Sequence, residues 1–267
     1  MKIAAVLEYC GSCYSGWQHQ KHTTSIQQQV EAALSRVADH DVRVHCAGRT
    51  DAGVHALHQV IHFETSSERP VHAWIAGSNT YLPEEISVLW AQPIADDFHA
   101  RYSARNRSYR YVIVNRSKRP AVNRELVAWE HQPLDVTLMS RAAADLVGNH
   151  DFSSYRAAGC QAKGPVRDVQ KLEVFRSGEY VIIEITANAF LQHMVRNISG
   201  VLMKIGSGEE DTAWAKQILE ARDRTKGGVT APANGLYLIH VAYPENMAFR
   251  ELPPAVGLCY YNPDENY

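Results

Sequence analysis

The sequence contains no uninterrupted apolar run near the roughly 20 residues a membrane-spanning helix needs, and its opening MKIAAVLEYCGS turns polar too soon for a secretory leader. The expectation is a cytoplasmic protein without a membrane partner. Cysteine is scarce and scattered: Cys10, Cys13, Cys46, Cys160 and Cys259 form an odd set, which argues against a disulfide framework and fits a reducing compartment. Cys10-x-x-Cys13 has no second pair of its kind and no HExxH occurs. Although His45, His55, His58 and His62 lie close to Cys46, no metal is expected. Also missing are a Walker A loop, a GxGxxG after a strand and a GxSxG elbow. Their absence disfavours nucleotide hydrolysis, dinucleotide redox chemistry and α/β-hydrolase acyl transfer.

The composition, 45% hydrophobic and 21% charged over 267 residues, is that of a globular protein able to bury one large core or two smaller ones. A net charge of −2 speaks against a polyanion binder until its distribution is considered. Arg101, Arg105, Arg107, Arg110, Arg116, Lys118 and Arg119 follow one another with no Asp or Glu between them, while acids gather at 84–85, 96–97 and 209–211. Screening confines distant charges to a Debye length of about 8 Å, so this stripe can bind a phosphate backbone or simply be a solvated face.

Taken in order, the spacing predicts a strand over 2–8, a loop over 9–24 and a helix capped by Thr24 or Ser25, with Gln27 or Gln28 completing a capping box. Strands over 42–46 and 59–64, a short helix over 71–78 and a strand over 86–90 give the order β-α-β-β-α-β. The second half repeats it. A strand over 108–114, a helix over 137–147, a hairpin of 169–175 with 180–185, a helix over 189–205 and a strand over 236–241 surround an inserted helix at 211–221. The expected fold is α+β: two ferredoxin-like units in tandem, with sheets side by side or meeting at a central active-site cleft. The expected division is 1–105, 106–243 and an extended tail over 244–267.

Within VRVHCAGRTDAGVHALHQVIH (42–62), Gly48 and Gly53 bracket Arg49, Thr50 and Asp51. Alone, Asp51-Ala52-Gly53 is either ordinary turn chemistry or a holder that thrusts an acid outward. The loop carries no second carboxylate, which a water-using glycosidase needs. A lone Asp beside Arg suits a covalent or electrostatic role better. Tyr109 and Tyr111, on one face of the strand over 108–114, are either core residues or stacking platforms.

The string CAGRTDAGVHA (46–56) resembles the catalytic motif of the tRNA pseudouridine synthase A family. Matching segments run along the chain: GSCYSGWQ (11–18), FHARYSA (98–104), YRY (109–111), HDFSSYR (150–156), NAFLQHMVRN (188–197) and GLYL (235–238). The resemblance covers about residues 3 to 243. It implies the pseudouridine synthase fold, isomerisation of uridine at positions 38, 39 and 40 of the tRNA anticodon stem-loop, and no cofactor or metal. By it Asp51 is the catalytic residue, Arg49 helps displace the uridine, Tyr109 stacks on the target base and Arg196 keeps Asp51 ionised. It also implies tRNA as partner and a homodimer. Arg101, Arg105, Arg107 and Arg110 are further candidates for RNA contact. Cys10 departs from the pattern, because that position often carries Asp in the family. A noncatalytic tandem RNA-binding module is the competing class, although no segment matches the RNP1 pattern; a hydrolytic nucleosidase is a third.

Overall fold

The computed structural model describes residues 1–247, in two compact units. One comprises residues 1–107 with 237–247, the other residues 108–236. Most of the tail expected over 244–267 lies outside the described residues.

The first unit begins with β1 (Lys2–Tyr9), whose residues Ile3 to Leu7 are all buried. A strand buried on both faces belongs in the middle of a sheet. Antiparallel neighbours flank it: β3 (His55–Glu64) on one side and β4 (Ile86–Ile94) on the other. The short β2 (Val44–Cys46) pairs with β3 at residues 61–63. Between β1 and β2 runs α1 (Ile26–Ala38). Its Ser25 Oγ accepts from the Gln28 N–H at 3.3 Å, the expected N-cap, and Ile26, Val30, Ala33 and Leu34 supply the buried stripe.

The buried Glu31 ties α1 to β2. Its carboxylate accepts from the Val44 N–H (3.1 Å), Gln27 Nε2 (3.0 Å) and Arg43 Nη1 (3.0 Å), so it is not left unpaired beneath the surface. The segment expected as a short helix over 71–78 contains a five-residue π-helical turn at Ala73–Gly77 that continues into α2 (Ser78–Tyr81).

In the second unit the sheet order is β5 (Asn106–Asn115, from Ser108 onward), β9 (Tyr180–Ala187), β8 (Val166–Ser177), β7 (Gly148–Asp151). The short β6 (Ala128–Glu130) pairs in parallel with β5. Three helices accompany the sheet: α3 (Val136–Ala144), α4 (Met194–Gly206) and α5 (Trp214–Ala221). The α3 and α4 helices approach closely where a Cβ on Gly206 would lie 2.7 Å from the Met139 sulfur. The last strand, β10 (Leu236–Ala242), belongs from Tyr237 onward to the first unit and pairs in parallel with β3, Tyr237 opposite His55.

The helix expected over 189–205 begins at Met194 instead. His193 adopts a left-handed φ of +62°, and the Gln192 carbonyl accepts from the Ala157 N–H at 2.9 Å. Those commitments hold 188–193 as a loop before the helix.

Candidate active site

The Asp51 loop leaves β2 at Cys46 and enters β3 at His55. Thr50 is buried, Asp51 half-buried, and Arg49 and Ala52 exposed. This alternation turns the arginine to solvent while the threonine anchors the loop from below. Gly53 has φ +77°, as the glycine bracket anticipated. Burial pushes the Cys46 thiol up to about 12, which removes it as a nucleophile at neutral pH.

Three side chains hold this loop. Gln59, wholly buried on β3, donates from Nε2 to the Gly48 carbonyl at 2.6 Å and accepts the Gly48 N–H on Oε1 at 3.4 Å. Its amide therefore completes Gly48's peptide as a neighbouring strand would. The same Nε2 donates to the Tyr9 hydroxyl at 3.3 Å, and that hydroxyl shares a 2.8 Å hydrogen bond with Thr50 Oγ1. The third is Arg107, which donates to the carbonyls of Ala47 (2.9 Å), Arg101 (2.6 Å) and Ala104 (3.3 Å). It joins the start of the Asp51 loop to the FHARYSA segment.

A second loop clamps the first from behind. The Gly53 N–H donates to the Tyr14 carbonyl at 3.4 Å, and the Trp17 N–H to the Thr50 carbonyl at 3.0 Å. At Gly11 the approach leaves no space for a side chain: an added Cβ would stand 2.0 Å from the Val54 carbonyl oxygen. The Gly11 N–H donates to Nδ1 of buried His55 at 3.1 Å, and the His55 ring stacks on Tyr237 at 4.6 Å.

The four arginines grouped as RNA contacts occupy unlike settings. Arg101 and Arg105 are exposed. Arg107 is buried among backbone carbonyls, and Arg110 is paired with Glu184 through Nε at 2.7 Å and Nη2 at 2.5 Å. Structural contacts thus occupy both guanidinium groups, which a run of basic residues in the sequence could not distinguish from solvated ones.

In the second unit Tyr109 is 8% exposed and meets Phe190 edge-to-face at 4.9 Å. Tyr111 is fully buried and donates its hydroxyl to the Pro232 carbonyl at 2.8 Å, a core tyrosine with a satisfied polar end. Arg196, half-buried in the first turn of α4, donates from Nε to the Ala231 carbonyl (2.8 Å), while the Ala231 N–H returns to the Arg196 carbonyl (3.1 Å). The segment carrying Ala231 lies against α4 at Gly200, where an added Cβ would be 2.0 Å from the Val229 carbonyl oxygen.

A family model described as tRNA pseudouridine synthase matches residues 5–103 and 142–244, covering this loop and the α4 segment. The chain belongs to the tRNA pseudouridine synthase family. Proteins named tRNA pseudouridine synthase A are similar along nearly the whole chain. One from Nitrosococcus oceani is 56% identical over 92% of this chain and 95% of its own, and one from Coxiella burnetii 52% identical over 94% and 97%. A third, from Methylococcus capsulatus, is 53% identical over 99% of both. Members of this synthase family are isomerases, and the chain is one of them.

The residues that sequence reasoning missed are the supports: Tyr9, Gln59, the turn at Gly11 and His55. Gln59 did carry a signal, since a glutamine among Val60, Ile61 and Phe63 on a buried strand requires a polar partner. Nothing in the sequence marked which partner it takes.

Proposed function

We propose that this isomerase converts uridine to pseudouridine in tRNA, at positions 38, 39 and 40 of the anticodon stem-loop, with Asp51 as the catalytic residue. The observation that carries the reading is the half-buried Asp51 in a loop whose neighbour Thr50 is anchored to a buried Tyr9–Gln59 pair. A short carboxylate on a fixed loop keeps its place while the base turns. In the reaction the N1–C1′ bond breaks, the uracil rotates, C5 bonds to C1′, the C5 proton leaves and N1 ends protonated. One carboxylate suffices, whether it attacks the sugar, attacks the base or removes a ribose proton to give a glycal.

In this reading Arg49, exposed beside Asp51, fills the space vacated by the displaced nucleotide. Tyr109 stacks on the target base, and Arg196 serves as the basic partner of Asp51. Exposed Arg101 and Arg105 contact phosphates, and Arg107 holds the Arg101 carbonyl, while Arg110 is paired with Glu184. The reading includes two ferredoxin-like units, a cytoplasmic homodimer and chemistry without cofactor or metal.

Tritium release from tRNA labelled at uridine C5 tests it. Wild type is expected to release the label, and Asp51→Asn to release essentially none while melting at an unchanged temperature. Equal rates for the two sink the assignment of Asp51. Binding without release points to a noncatalytic RNA-binding module, and free uracil to a nucleosidase; either outcome overturns the function.

A further inference from the structure

The turn after β1 holds chemistry that uridine isomerisation does not use. Cys10 is half-exposed and Cys13 exposed, three residues apart in a turn that the Tyr14 N–H closes onto the Gly11 carbonyl at 3.0 Å. Cys10 Sγ lies 3.4 Å from Ser12 Oγ and is hydrogen-bonded by the His55 side chain. That bond, against the opposing effect of burial, brings the Cys10 thiol down to about 7, so much of it is thiolate at neutral pH. Both sulfurs act on the Tyr14 hydroxyl, which burial, Glu85 and the two thiols together raise to about 12. The pair therefore combines a nucleophilic member with an accessible one, three residues apart in sequence.

The turn is also mechanically joined to the Asp51 loop. Gly11 abuts the Val54 carbonyl, the Gly11 N–H rests on His55, and the Tyr14 carbonyl receives the Gly53 N–H. Cys10 must leave His55 to meet Cys13, and a disulfide needs its two Cα atoms at about 5.5 Å with a defined dihedral. Gly11 has no space in which to absorb that change.

We propose that Cys10 and Cys13 form a thiol redox pair: a hydroperoxide oxidises Cys10, Cys13 closes a disulfide, and the turn releases the Asp51 loop. The Cys10 thiolate attacks the peroxide O–O bond to give the sulfenic acid and an alcohol or water. The Cys13 thiol then displaces water from that sulfenic acid to form the disulfide. Two equivalents of an external thiol restore both cysteines and leave as their own disulfide.

The loop-release step rests on the Asp51 loop being the working loop, so the test reads chemistry, structure and rate separately. The full chain is treated with hydrogen peroxide, and the tryptic peptide 3–21, which holds both cysteines, is weighed. The expected product is lighter by two hydrogen atoms, and dithiothreitol reverses it. Amide exchange over 50–55 should rise in the oxidised protein and return on reduction. Tritium release should fall about a hundredfold, the scale of a misplaced reacting group, and recover with dithiothreitol. Cys13→Ala should match wild type when reduced, yet with excess peroxide its Cys10 should pass through the sulfenic acid to the sulfinic acid, which dithiothreitol does not reverse, and stay inactive. A peptide 3–21 that remains reduced overturns the proposal, as does a disulfide that leaves both exchange and rate unchanged. A reduced wild type that releases no tritium would instead refute the proposed function, while peptide mass and amide exchange would still decide the redox pair.

Discussion

The Asp51 loop and the Arg196 segment are both backed by a glycine pressed against a carbonyl, yet they are held in different ways. Gly11 lies behind Val54 and Gly200 behind Val229, each leaving 2.0 Å where a Cβ would need more than 3 Å. Beyond that likeness, polar side chains fasten the Asp51 loop at Ala47, Gly48 and Thr50. Arg196 instead rises from a regular helix and exchanges hydrogen bonds with Ala231. An aspartate has one rotatable bond before its carboxylate, so its backbone must be held in place. An arginine's long side chain can re-aim within a modest change of backbone.

The sharpest way to break that comparison is to add the same methyl group to both glycines. Gly11→Ala and Gly200→Ala should each cost about 1–3 kcal/mol of stability or more, the range for overpacking a tight site. Their effects on rate should differ. Gly11→Ala moves the Asp51 loop and is expected to lower kcat by about a hundredfold; Gly200→Ala should lower it by about tenfold, some 1.4 kcal/mol. Denaturant melts and single-turnover rates on tRNA measure both. Equal losses of rate would show that the two sites are equally rigid.

Removing the polar support comes next. Gln59→Leu removes the side chain that completes the buried Gly48 peptide and donates to the Tyr9 hydroxyl, which costs about 1–3 kcal/mol. The expected result is lower stability together with faster amide exchange over 47–51. Unchanged exchange there would mean that the loop is held by its other contacts, Arg107, Tyr9 and the turn behind it, without Gln59.

The difference between the two regions also explains what the sequence made legible. Asp51, Arg49 and the bracketing glycines stand within a few residues of one another, so a local motif exposes them. The capped helix from Ser25 and the strands of the first unit follow from local periodicity in the same way. Long-range partners are not local. Gln59 meets Tyr9 across 50 positions, Arg107 meets Ala47 across 60 and Arg196 meets Ala231 across 35. The start of α4 was misplaced for a related reason: residues 189–193 have helical composition, but the bond from Ala157 to Gln192 and the left-handed His193 keep them out of the helix. The short strands β6 and β7, of three and four residues, are too brief for periodicity to reveal.

Acid should separate the units further. His62, packed against His45 and His99, is held down to about 4 chiefly by burial; His58, beside His240, is held down to about 4 by burial and then by that neighbour. Folding favours the neutral rings, so their contribution is complete above the unfolded value of about 6.5 and is lost as pH falls towards 4. In the second unit Asp135 and Asp223 are lowered by backbone hydrogen bonds from Thr137 and Thr225, so they lose their contribution only below the ordinary carboxylate range. Between pH 6.5 and 5 the melting temperature should fall, with amide exchange rising first in residues 1–107. His62→Gln and His58→Gln should flatten that slope, and a melting temperature independent of pH would refute the account.

The smallest effects belong to the exposed arginines, and there the comparison concerns single side chains of one basic run. Arg101 and Arg105 are exposed, while Arg107, two residues beyond Arg105, is buried among three carbonyls. A guanidinium that neutralises one phosphate of a duplex stem contributes about −0.9 to the slope of log affinity against log salt. Arg101→Ala and Arg105→Ala should each flatten that slope by about one unit, leaving kcat and the melting temperature unchanged. Arg107→Ala should instead lower stability and kcat with little effect on the salt slope, because its charge is turned inward to the loop. If all three substitutions flattened the slope alike, Arg107 would have to reach the RNA, and the Asp51 loop would be held without it.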